Sequence, residues 1–500
     1  MKRIKQLTIA ALTLAMAVSL TACDEEVPHS NVGTPSANGA VTTTAPATTK
    51  DPDENAETDG VIKDVHSDSF VPSGNAGKIT WLGYYDLSTD GSSAEQYKIF
   101  TSETYGGEIE YVNCGSGTAY FDKLGTMIAA DESPDIVRYE WMSFPYGMSK
   151  NIYEPLDGLI DAESALWADM APIAENFAYK GKHYYYPYRI ATNFAINYNR
   201  KTLEEASLPD PYDLYLENNW TWDTFKQILT AWCDMDEDNI GYCGTNATSL
   251  IATTGKTLVD VQPDGSVKNN INEPEITRAM EFASDLCREG LTYQGELGDW
   301  VPPDTWATAS NRILFLGMGP EWTYSAASEK IQNPSGVEND IFDTPSDFAF
   351  VPFPRDPQSD KYTIAFDTFG YMIPKGAKNI SGAVEWINLV RVYQIDEERI
   401  ATEREEYLHP VRELYTKGKY EGMQKWKLTW DEKVYDLWQD MMNPDKFDFV
   451  FDDCFGFTTE METVVNDILN EPMFHNGSWT QLRAENGPVI DYIISEFNAG

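Results

Sequence analysis

This sequence predicts an α/β fold with parallel strands, on three observations. Short strand-like runs alternate with amphipathic helical runs from Lys78 onward, the rhythm that builds a parallel sheet covered by helices. Hydrophobic residues make up 42% of the chain and aromatic residues 13%, enough apolar surface for a large core despite a net charge of −43. At 500 residues the chain exceeds what one hydrophobic core usually supports, so two domains or lobes are expected.

The N-terminus comes first. Lys2, Arg3 and Lys5 form a positive start, and Leu7 to Leu20 is an apolar run too short to span a bilayer comfortably. Leu20-Thr21-Ala22-Cys23 then resembles a bacterial lipobox. That resemblance implies removal of a signal peptide, residues 1–22, and attachment of a lipid to the Cys23 sulfur. Loss of Lys2, Arg3 and Lys5 takes the charge from −43 to −46. Residues 23–77 hold the lipidated Cys and a segment dominated by Thr, Ala, Pro, Asn, Asp and Gly. Such a composition cannot bury enough surface to offset its ordering entropy, so a flexible tether is expected. No later run reaches transmembrane length.

The body begins with a strand at Lys78 to Leu82, and Gly83-Tyr84-Tyr85-Asp86 is its exit loop. Ile109 to Val112 is a second strand. A helix follows Gly117 and runs to Ala130, with Phe121, Leu124 and Ile128 on one face. Ile136-Val137 starts a third strand running toward Tyr139-Glu140-Trp141. Phe194 to Tyr198 alternates like a strand. Thr221 is placed to cap a helix whose Phe225, Ile228, Leu229 and Trp232 form a core stripe. Glu275 to Glu289 reads as a helix stopped by Gly290. Phe348 to Pro354 and Asp367 to Pro374 read as strands, and from Ser381 helices are expected at about 382–394, 430–441, 459–470 and 488–497.

Several chemistries are disfavoured. A surface this acidic repels nucleic-acid phosphates and anionic membrane faces. Cys114, Cys233, Cys243, Cys287 and Cys454 contain no CxxC pair, so neither a zinc site nor a redox motif is expected; Cys233 and Cys243 are either a disulfide or buried free thiols. There is no HExxH, Walker A or GxSxG motif, and Gly317-Met318-Gly319 fails as GxGxxG because position 322 is Trp. Asp234-Met235-Asp236-Glu237-Asp238 has the alternating acids of a calcium loop, but Asn239 and Thr245 stand where the loop needs Gly and Glu, and a solvated turn is expected. No metal and no cofactor are expected. With 80 carboxylates, acid/base pairs arise everywhere by chance, so no glycosidase pair can be singled out.

In parallel sheets ligands meet the loops at the carboxyl ends of strands. That rule places Tyr84, Tyr85, Asp86, Tyr139, Glu140 and Trp141 at a site mouth. Aromatic rings beside acids suit a sugar, whose CH faces are apolar and whose rim is hydroxylated.

Six segments in order then resemble the extracellular solute-binding protein family 1 of ABC importers, the maltodextrin-binding-protein-like group. They are Phe121 to Ala130 with Ser133 to Val137, Glu154-Pro155-Leu156-Asp157, Gly181 to Pro187, Ile196 to Arg200, Asn219 to Asp223, and Gly317 to Trp322. The resemblance implies a two-lobe periplasmic-binding-protein-like fold of the class II type, with the ligand held between lobes joined by a multi-strand hinge. It implies crossings near 190–196, 340–366 and 395–405, hence one lobe from 78–192 with 340–398 and another from 193–339 with 399–500. By family position Asp86, Glu140, Trp141 and Trp322 are the leading cleft candidates, beside Tyr84, Tyr85, Tyr139 and Glu321. Tyr188, Arg189, Asn193 and Asp367 flank the crossings, and Trp300 and Trp306 form a second-lobe cluster. The expected protein is a non-enzymatic, monomeric, lipid-anchored receptor on the outer face of the bacterial cell membrane. It would deliver a carbohydrate to ABC permease subunits, touch the membrane only through its lipid, and bind no nucleic acid. A surface glycoside hydrolase and a non-transport adhesin or sensor are the competing readings.

Overall fold

Three parallel strands open the fold. β1 (Gly77–Gly83), α1 (Gly91–Phe100), β2 (Gly107–Asn113), α2 (Thr118–Ala129) and β3 (Ile136–Arg138) follow one another, and β1 pairs in parallel with both β2 and β3. The computed structural model describes residues 70–293 apart from 90, 116, 193, 246 and 263, then 306, 312–330, 347–410, 422, 429–451 and 458–499. The signal peptide, Cys23, Cys454, Asn193 and Trp300 therefore lie outside the described residues. Of the expected tether, the last stretch is described: Phe70 stacks on Tyr105 with centroids 6.4 Å apart, and Ala76 is buried.

The helix α1 was not expected between the first two strands. Its buried face is Gln96, Ile99 and Phe100, and a polar residue inside so short a stripe weakens the period. Ile79, Trp81, Leu82, Leu124, Ile136 and Val137 begin a first hydrophobic core.

The chain then passes through β4 (Arg189–Thr192) into β5 (Ala195–Asn199). Every residue of β5 is buried, as expected of a strand covered on both faces. Next come α3 (Trp222–Cys233), β6 (Ile240–Gly244), α4 (Pro274–Arg288), β7 (Ile313–Met318), α5 (Pro320–Lys330) and β8 (Phe348–Pro352). The second sheet has the order β8-β5-β7-β6, with β7 parallel to β6 and antiparallel to β5. A second core forms around it from Ile196, Tyr198, Phe225, Tyr242, Phe315 and Phe350. Thr221 caps α3 in a reciprocal box with Thr224. Gly290, at φ 74°, ends α4 as expected. Cys233 and Cys243 are free thiols, not a disulfide.

β9 (Thr363–Phe369) returns antiparallel to β4 and continues into β10 (Tyr371–Met372), which pairs with β3. α6 (Ile380–Gln394), α7 (Glu397–Leu408) and α8 (Glu432–Asp440) follow, then β11 (Asp448–Val450), which lies parallel to β9. The strands β11-β9-β4 thus make a small sheet joining the two cores. Helices α9 (Thr459–Phe474) and α10 (Trp479–Ala499) close the chain; α10 begins earlier than expected and runs through Pro488. The family resemblance implies that 340–398 belongs to the first lobe. Instead Phe348 to Ala365 pack in the second core, and first-core residues resume at Phe366. The last crossing lies between Val392 and Leu408 and is made by helix rather than strand.

Candidate functional site

The carboxyl ends of β1 and β3 deliver Tyr84 and Arg138 to one place. Arg138 Nη1 donates to Tyr84 Oη at 3.1 Å. Glu140 lies beside them, close enough to interact electrostatically with both, and has an enclosed Oε1 with no hydrogen-bond partner. Burial raises the Glu140 carboxyl above the ordinary carboxylate value, while Arg138 and Tyr84 pull it back. Burial likewise raises the Tyr84 phenol.

The joining sheet adds the next groups. Asp367 on β9 and Arg189 on β4 belong to paired strands. The Thr368 amide donates to Asp367 Oδ1 at 2.7 Å. Burial raises the Asp367 carboxyl against that bond and against Arg138 and Arg189. The Arg189 guanidinium carbon sits 4.1 Å from the Phe369 ring centroid, and that of Arg138 5.6 Å from the same ring.

From the second core, the first turn of α5 supplies Glu321. Its Oε1 is 3.4 Å from Arg189 Nη1, and both side chains are largely buried. Glu403 on α7 is raised by burial and feels Arg399, Glu321 and Arg189, and Tyr407 feels Glu321 and Glu403. Three guanidiniums, with Arg399 on Glu403 at 3.4 Å, and four carboxyls thus meet where both cores and the joining sheet converge, with tyrosine and phenylalanine rings between them. Such a cluster offers directional hydrogen-bond donors and acceptors beside apolar faces.

Of the expected residues, Tyr84, Glu140, Arg189, Glu321 and Asp367 come together. Tyr85 sits against Trp81 and Tyr84, and Tyr188 stacks on Tyr371 at 6.0 Å. Trp322 follows Glu321 and packs half-buried on the second core. Trp141 is half-buried, its ring nearly perpendicular to that of Phe121 with centroids 6.3 Å apart. Asp86 shapes its own turn by accepting from the Ser88 amide and hydroxyl. Two residues are placed elsewhere. Tyr139 stacks on Tyr185 at 4.4 Å inside the first core. Trp306 is 1% exposed and donates to the Ile313 carbonyl in the second core.

Arg138, Phe369, Glu403 and Tyr407 were not anticipated. Strand alternation carries part of the signal for Arg138, because within β3 it shares a side with Ile136 while Val137 faces the other. Among the described residues no group of three or more His, Cys, Asp or Glu is placed to hold a metal. In the acidic turn Asp236 instead pairs with Arg312 at 3.0 Å.

Residues 95–394 match the family described as bacterial extracellular solute-binding protein. No curated protein matches the chain. Among solved structures, the sugar-binding protein MalE from Xanthomonas citri is 15% identical, with TM-score 0.58, covering 84% of this chain and 98% of that one. The GacH receptor of Streptomyces glaucescens, solved unliganded and with acarbose, is 16% identical, with TM-score 0.55, covering 84% and 98%. UgpB from Mycobacterium tuberculosis, in complex with glycerophosphocholine, is 14% identical, with TM-score 0.57, covering 84% and 100%. These likenesses show that the fold is the two-lobe α/β architecture of such binding proteins.

Proposed function

The chain belongs to the bacterial extracellular solute-binding protein family, and from that premise we propose that it is a lipid-anchored receptor that captures an oligosaccharide or related carbohydrate between its lobes for an ABC importer. The observation that carries this reading is the convergence of Tyr84, Arg138 and Glu140 from one lobe, Arg189 and Asp367 from the joining sheet, and Glu321 from the other lobe. A ligand seated there touches groups from both lobes at once, so binding favours their approach. The aromatic setting supplies flat apolar contact, and the charged side chains supply directional hydrogen bonds. Members of the family are binding proteins, and the receptor role needs no bond-breaking chemistry. The lipobox-like Cys23 supports anchoring at the outer membrane face.

Calorimetry against maltose, maltotetraose, acarbose and glycerophosphocholine tests the ligand class. Heat with a saccharide whose affinity falls in an Arg189→Lys variant supports the site. Heat with glycerophosphocholine alone overturns the carbohydrate assignment, and chromatographic appearance of shortened saccharides overturns the receptor role.

A further inference from the structure

A separate cleft of about 400 Å³ lies at the β11 edge of the joining sheet, whereas Arg189 is on β4 at the other edge. We propose that this cleft is a second binding site for a small neutral polyhydroxylated ligand of mono- or disaccharide size.

Its floor is aromatic and fixed from behind. Phe449 and Phe451 line the cleft while packing on Phe366 at 5.9 and 5.6 Å, and Phe451 also lies 4.5 Å from Phe177. Both rings are only half-buried, so each keeps an apolar face for the CH surface of a sugar.

The walls are amides and balanced charges. Asn176, Gln262 and Asn270 supply amide donors and acceptors. Asn270 is 4% exposed, donates to the Thr257 carbonyl at 3.0 Å, and leaves its enclosed Oδ1 without a hydrogen-bond partner. Gln262 Nε2 is held by Asp260 at 2.8 Å, which fixes the amide. Lys256 and Lys268 are offset by Glu175 and Asp260, so the lining selects neither anions nor cations. The volume lies within the range of small-molecule pockets and is too small for a long glycan.

The lining comes from three places: Glu175 to Ala178 beside first-core Phe177, Gly255 to Asn270 beside second-core Leu258 and Val259, and the crossing strand β11. One occupant therefore spans both lobes at a position distinct from the Arg189–Glu321 cluster.

The test is calorimetric titration of the full chain with glucose and maltose. Two classes of site are expected. In Gln262→Trp, which fills the cleft, and in Asn176→Ala, which removes one amide, the same class should weaken by roughly tenfold or more, with the other unchanged. Maltose should also protect amides of 255–270 from hydrogen exchange in the native chain and not in Gln262→Trp. A single class of site unaffected by both variants, or no binding of either sugar, overturns the proposal.

Discussion

Gly317 shows how one residue type can be dictated by a neighbouring ring. A Cβ there would lie 2.1 Å from Tyr242 Oη, whose hydroxyl donates to the Thr245 carbonyl at 2.8 Å. Gly317 lies in the fully buried strand β7, so the ring has little room to give way. Gly317→Ala should cost about 1–3 kcal/mol, read as a lower urea midpoint at unchanged slope. The sequence shows the glycine and even its failure as a phosphate motif, but the Tyr242 contact depends on pairing between β6 and β7 and was not legible. Arg138 was not anticipated although it alternates with buried Val137 in β3, whereas Tyr139 was drawn to the site only by its place in sequence. Glu140 and Asp367 carry a prediction of opposite signs. Burial raises both carboxyls, so their contribution to folding is fullest below the unfolded value of about 4 and declines as pH rises through the folded values. Affinity for a ligand whose hydroxyls donate to them should run the other way and fall on acidification, at a higher pH than for exposed carboxylates. Glu140→Gln should flatten both slopes, as measured by calorimetry and thermal unfolding as a function of pH.

Elements were legible where their periods were strong. Helix α3 was anticipated from its stripe and cap, and both are present, with Thr221 and Thr224 bonded reciprocally. Thr221→Ala should therefore destabilise by about 1 kcal/mol, visible in denaturant unfolding, whereas Thr221→Ser should restore most of the loss. Helix α7 was not legible. Glu397–Leu408 is mostly charged and Leu408 is its one buried residue, so no apolar period marks it. Glu403 and Tyr407 ride on that helix, and without the helix their arrival beside Glu321 could not be anticipated. The strand expected at Asp367 to Pro374 is two strands with Gly370 between them. A Cβ at Gly370 would fall 2.5 Å from the Tyr185 ring, so this break in the strand needs glycine. β9 begins four residues before the expected strand, because Thr363 to Ala365 pair with β11 before Phe366 to Phe369 pair with β4.

At the scale of the molecule, the two cores are joined by the passage from β4 to β5, the step from Ala365 to Phe366 within β9, and the stretch holding α6 and α7. Neither core needs to deform for the lobes to approach, since the change can be taken up in those passages. Arg189 is the group best placed to sense that approach. It lies on the joining sheet, stacks on Phe369 at 4.1 Å, and meets Glu321 of the other lobe at 3.4 Å. At 3.4 Å the pair is loose for a charge-assisted bond, which leaves hydrogen-bonding capacity for a ligand. A saturating saccharide should therefore shrink the radius of gyration seen by small-angle scattering and raise the unfolding temperature by mass action. Arg189→Lys keeps the positive charge, so Glu321, Asp367 and Glu403 are not left without a cation, but it loses the planar stack and fork. That variant should bind roughly tenfold more weakly, with near-native far-UV circular dichroism, and should still contract once saturated. Contraction in neither protein at saturation would show that ligand capture does not move the lobes, and equal affinities would remove Arg189 from the site.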